Sequence, residues 1–200
     1  MKIKCLVTVI SYYGKVTVIH IMVNIVENYH DTFESTLRSY LSERGLIDHV
    51  LPECDDVEQK WEQIATSFLP DALREFGDYP DAVLAWMMYL GMAVAKYWDV
   101  EWSIYDNIQD LYKYIREKRG FDNIDDYVCD EVLLLASDEK ATIQKQVVNV
   151  ASFAESLLMH SGAENGTENA FRCFLITLNS LYRYGCYMQL KRMGYKMTRL

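Results

Sequence analysis

The stretch AWMMYLGMAVAKYWDVEWSIYD, Ala85 to Asp106, decides how the chain folds. It carries three of the four tryptophans, Trp86, Trp98 and Trp102, and a single lysine, Lys96. The apolar run around it extends from Ala82 to Ala95, between Asp81 and Lys96. A bilayer-spanning helix needs about twenty apolar residues, and a run of roughly ten to fourteen suits a buried core helix. Wound as an α-helix, Leu84, Trp86, Met87, Met88, Leu90 and Met92 fall on different sides, so the apolar surface surrounds the axis. A helix of that kind is central and wrapped by its neighbours. Gly91 and Ala93 would let those neighbours come close.

Working outward, the rest of the chain supplies the wrapping. Apolar residues at helical spacing predict a helix over 32–44, capped by Asp31 and ended by Gly45, and a second from Asp55 that Pro70 kinks or splits before Gly77. Pro80 suits the first turn of the central helix, about 80–98. Further helices are expected over 103–118, opened by a capping box at Ser103 to Asp106, and over 124–136, 139–160 and 167–193. The expected fold is all-α: one irregular bundle of six or seven helices, with short connections that make neighbours antiparallel. No repeat or linker marks an internal boundary.

The amino terminus reads differently. MKIKCLVTVISYYGKVTVIHI is rich in Val, Ile, Thr and Tyr around a Tyr-Tyr-Gly-Lys turn, which predicts a hairpin of Ile3–Ile10 and Lys15–Ile21. Residues 1–21 are therefore expected to be an appendage, either an extension, an oligomerisation hairpin or a start assigned too early. Residues 22–200 are expected to form the helical domain. The apolar part is interrupted by Gly14-Lys15 and lacks a small-x-small cleavage pattern, unlike a signal peptide.

Half of the 200 residues are hydrophobic and only three are proline, enough for a sizeable core and against disorder. The net charge of −9 disfavours nucleic acid or an anionic membrane as a partner. The charge is uneven: Glu27 to Glu139 holds 26 acids against 9 bases, whereas Ala170 to Leu200 holds six bases and no acid. The basic end can rest on the acidic body or serve a partner. Five cysteines without C-x-x-C spacing signal neither a disulfide framework nor a zinc clip, and suit free thiols in the cytoplasm.

The search for chemistry yields little. Glu27 and His30 form half of a di-iron signature with no second copy. His30, His49 and His160 could meet only by folding, and FDNIDDYVCDE (Phe121–Glu131) lacks the calcium-loop pattern, so no metal or other cofactor is expected. No nucleophile elbow, phosphate loop or dinucleotide fingerprint occurs, and Cys129 and Cys186 have no base fixed beside them in sequence.

Two places remain as candidate sites. Lys96, Asp99, Trp102 and Asp106 could line a ligand cleft at the end of the central helix, although a snorkelling Lys96 paired with Asp99 explains the same pattern. In the last helix, Tyr184, Tyr187, Lys191 and Arg192 could face a protein partner or a second copy, although a docked helix with a solvated basic end explains them too. The expectation is a helical interaction or regulatory domain in the cytoplasm, leaning away from an enzyme, with a small-ligand binder or enzyme at the Lys96 cleft as the alternative.

Overall fold

The computed structural model describes residues 15–51 and 54–195, with side chains from Ile25 onward. The helices are α1 (Lys15–Glu43), α2 (Asp55–Gln59), α3 (Trp61–Glu75), α4 (Pro80–Val100), α5 (Trp102–Asn107), α6 (Leu111–Arg119), α7 (Ile124–Tyr127), α8 (Ser137–Met159) and α9 (Glu168–Arg192). Among the described residues there is no strand, so the fold is an all-α bundle. No helix among them is long and apolar enough to cross a membrane.

The expected hairpin is corrected in the half that is described. Lys15–Ile21 is helical, and α1 runs without a break through Asp31, the residue expected to cap it. The apolar series Val26, Tyr29, Phe33, Leu37 and Leu41 keeps helical spacing across that point, and it packs on the core. The first expected strand, Ile3–Ile10, lies outside the described residues.

α4 is enclosed. Every residue from Val83 to Ala95 is buried, as is Tyr97. Its main neighbour is α9, and the two cross at a reciprocal pair of glycines. A Cβ on Gly91 would stand 2.1 Å from the Tyr182 carbonyl oxygen, and one on Gly185 would stand 2.2 Å from the Met88 carbonyl oxygen. The two backbones therefore touch directly. Glycine costs each helix about 1 kcal/mol of propensity relative to alanine, and the close packing of two otherwise apolar helices offsets that.

Contacts along the chain fix directions. Tyr29 meets Thr177, Glu34 meets Ser180 and Tyr184, and Ile47 meets Lys191, so α1 runs parallel to α9. Trp98 stacks near Tyr195 while Pro80 and Phe171 share one groove, so α4 runs parallel to α9 as well. α3 runs the other way, from Trp61 against Tyr182 to Phe76 against Phe174. α8 is antiparallel to α1, with Tyr40 stacked on Phe153 at 4.1 Å between centroids.

Three expected helices are broken differently from the reading. Pro70 sits inside α3 without splitting it, because Ile64, Phe68 and Ala72 on either side are all buried on one face. The helix expected over 103–118 is two, α5 and α6. Ser103 lies inside α5, and Asp110 caps instead, its Oδ1 accepting from the Lys113 amide at 2.8 Å and its Oδ2 from Ser67 at 2.7 Å. The helix expected over 124–136 is α7 followed by a π-helical turn, Val128–Val132, that ends at Leu134 with φ 55. Amides of Leu133 and Leu135 bond back to Val128 and Cys129 across that left-handed residue, a helix stop usually built on glycine.

Candidate functional site

The residues singled out near Lys96 do not converge. Lys96 is half-buried near the end of α4, while Asp99, Trp102 and Asp106 are exposed. Asp99 accepts from the Tyr195 hydroxyl at 2.5 Å. Trp102 leans on Tyr105, whose hydroxyl donates to the Asp56 carbonyl and whose ring carries the Lys60 ammonium at 4.6 Å. Trp98 Nε1 donates to Asp56 Oδ2 at 3.0 Å. The aromatic corner thus ties α2, α4, α5 and the chain after α9 together.

In α9, Tyr184, Tyr187 and Met188 are buried, packed into the bundle and not presented to a partner. The reason lies on α1 and α2. Tyr184 donates to Glu34 at 2.8 Å, Tyr187 to Glu58 at 2.6 Å and Tyr182 to the Val57 carbonyl at 2.5 Å, so each buried hydroxyl has an acceptor. Burial pushes all three hydroxyls well above their ordinary ionisation range. Arg183 lies 3.7 Å from both Glu34 and Glu58, Lys191 pairs with Asp48 at 2.9 Å, and Arg192 pairs with Glu139. Arg183, Lys191 and Arg192 thus rest on acids of the body.

The thiols considered as nucleophiles are inert by the same physics. Burial pushes Cys129 up to about 12 and Cys186 higher still, the opposite of an activated thiolate. His30 faces Asp31, and His160 Nδ1 lies 2.6 Å from the Ser156 carbonyl. Among the described residues no three His, Cys, Asp or Glu side chains gather as a metal would need.

One concavity among the described residues was not revealed by the sequence. α3 and α8 end where α4 and α9 begin, and the four ends enclose a groove of about 600 Å³. Phe76 and Phe174, with ring centroids 4.7 Å apart, form its floor. Its rim is exposed and apolar: Leu73 at 54%, Met159 at 63% and Phe171 at 40% exposure. Thr167 caps α9, accepting from the Ala170 amide at 3.3 Å, and Gly162 and Gly166 turn the connection with positive φ.

The charge at this groove is one-sided. Glu155 lines it, and among the described residues no Lys, Arg or His does. Segments 73–81 and 155–172 together hold six acids (Glu75, Asp78, Asp81, Glu155, Glu164 and Glu168) and two arginines. Both arginines are occupied, Arg74 by Asp71 and Glu75 and Arg172 by Glu168. Asp81 Oδ2 accepts from Ser152 at 2.7 Å. Its Oδ1 is buried with no hydrogen-bond partner among the described residues. The neighbouring Asp81 carboxyl, with burial, holds the Glu155 carboxyl above its usual range.

Nothing in the linear pattern marks these residues as a unit, since they come from four helix ends. The one legible cue was SGAENG, the break between the last two helices. Compared with known proteins, the chain matches no family model, no curated protein and no solved structure.

Proposed function

We propose that the chain is a helical interaction domain whose end groove takes a peptide segment of apolar and basic composition. The observation that carries this reading is the groove itself: an apolar floor and exposed apolar rim, with acids around it and, among the described residues, no Lys, Arg or His lining it. Its volume lies in the range of roughly 300–1,000 Å³ typical of ligand sites, and contiguous exposed apolar surface marks interaction sites. Free thiols, with Cys129, Cys173 and Cys186 buried, support work in the reducing cytoplasm.

The test is binding of a fluorescent leucine–lysine model peptide to the full chain, beside its leucine–glutamate counterpart. The lysine peptide should bind and the glutamate peptide should not. Met159→Ser with Phe171→Ser should weaken binding about tenfold, or about 1.4 kcal/mol, while shifting stability by no more than about 0.5 kcal/mol, since both side chains are largely solvated. Equal affinity for the two peptides, or binding unchanged in the rim variant, would overturn the proposal.

A further inference from the structure

The connection between α8 and α9 carries chemistry that neither helix does. Its sequence, SGAENG, contains the chain's one Asn-Gly step, Asn165-Gly166. The Thr167 amide donates to the Glu164 carbonyl at 3.2 Å, which makes Glu164–Thr167 a β-turn with Asn165 and Gly166 at its centre. Gly166 has φ 78, the positive value that the third position of a type II turn demands. Both central residues are exposed, and the space beside the Gly166 Cα is open. Among the described residues the Gly166 amide donates to no partner. The turn is pinned at its end, where the Thr167 hydroxyl donates to the Glu164 carbonyl at 2.6 Å and accepts from the Ala170 amide at 3.3 Å.

Of the other seven asparagines, six lie in helices and Asn123 ends a 3-10 turn, its side chain donating to the Arg119 carbonyl at 3.1 Å. All seven precede a residue with a Cβ. In a helix the backbone is held by its hydrogen-bond ladder, and a Cβ on the next residue crowds that residue's nitrogen. At Asn165 neither obstacle applies. The deprotonated Gly166 nitrogen attacks the Asn165 Cγ: the N–Cγ bond forms, the Cγ–Nδ2 bond breaks, and ammonia leaves with a proton taken from solvent. Water then opens the succinimide ring. Opening at Cγ gives aspartate, and opening at the backbone carbonyl gives a β-linked aspartate. Either way the amide becomes a carboxylate, water is consumed and ammonia is released, with no oxidant or other reactant required.

We propose that Asn165 is a site of slow, spontaneous modification, converted through the Gly166 nitrogen to aspartate and β-linked aspartate on the wall of the groove. Asn165, Gly166 and Thr167 line that groove beside Phe171 and Phe174. The new carboxylate joins the acids of segments 73–81 and 155–172, and among the described residues no Lys, Arg or His lines the groove to neutralise it. It also lies close to the amino terminus of α9, where negative charge is favoured. The groove therefore grows more selective for basic segments as the chain ages. That consequence rests on the reading of the groove as a peptide site; the modification itself does not.

Peptide mapping by mass on the full folded chain, kept warm in mildly alkaline buffer, tests the site. Asn165 should convert well ahead of the other seven asparagines, to both products, at a rate comparable with that of a free peptide spanning residues 161–168. Asn165→Gln should abolish the conversion, because the longer side chain closes the ring poorly. A folded chain that keeps Asn165 intact while the free peptide converts would overturn the proposal, as would conversion no faster than at Asn123. Asn165→Asp supplies the charge directly. It should raise affinity for the leucine–lysine peptide about two- to fivefold, the worth of one exposed ion pair, and added salt should erase the gain. Conversion at Asn165 with lysine-peptide affinity unchanged in Asn165→Asp would overturn the link to the groove. Conversion in a chain that binds neither model peptide would sink the peptide site and leave the modification standing.

Discussion

The α4–α9 crossing and the groove at their amino-terminal end are built from the same two helices and obey opposite rules. At the crossing, backbone touches backbone through Gly91 and Gly185, and each surrounding side chain is buried. At the groove, some twelve residues away along each helix, apolar side chains stay in solvent and the Glu155 carboxyl is held above its usual range beside Asp81. A chain able to close one contact to backbone distance leaves the other open. The open end is therefore not a failure of packing capacity; it is where the proposed peptide would sit.

The sharpest way to break this contrast is at the crossing. Gly91→Ala puts a methyl group into the Tyr182 carbonyl, which can yield only if the helices part, so a loss of at least about 3 kcal/mol is expected in urea titration. Gly185→Ala should behave alike, and the two losses should not add, because either one already opens the same contact. An alanine at Gly91 that costs under about 1 kcal/mol would show that the crossing is loose.

The next effect is smaller and has a defined sign. The folded state holds the Glu155 carboxyl above its ordinary range, so it contributes stability that is fully present below that range and is lost as pH rises through the higher folded value. Glu155→Gln, which donates permanently to Asp81, should flatten that fall and make the chain more stable than wild type near neutrality. Thermal midpoints across pH 4 to 8, about the span in which carboxylate linkage acts, would check it. An unchanged slope would show that the Glu155 carboxyl is not held up by Asp81. The smallest effect belongs to the rim, where Met159→Ser alone should alter stability by no more than about 0.5 kcal/mol.

The crossing was half legible in the sequence. The all-round apolar character of 80–98 announced an enclosed helix, and Gly91 stood out within it as a place of close approach. Its counterpart Gly185 did not, because a single glycine among tyrosines in the last helix reads as a weak spot until the facing backbone is known. The tyrosines of α9 were ambiguous for a related reason. Tyr184 and Tyr187 could have faced a partner or the body, because their acceptors, Glu34 and Glu58, come from well over a hundred residues away. The split of 103–118 turned on Asp110, whose cap competes with helix continuation and is reinforced by Ser67 from α3. The groove was invisible because helix ends, unlike helix faces, have no period, and four of them had to meet before Glu155 found Asp81.

Native-state hydrogen exchange on the full chain tests the central contrast most directly. Amides of α4 and α9 flanking Gly91 and Gly185 should exchange only through global unfolding, following the denaturant dependence of the whole protein. Amides of 160–167 and the first turn of α9 should open at far lower free energy. If those flanking Gly91 and Gly185 open locally, or if the two regions exchange alike, the closed crossing and the open end are not the two states of packing described, and the account built on their difference fails.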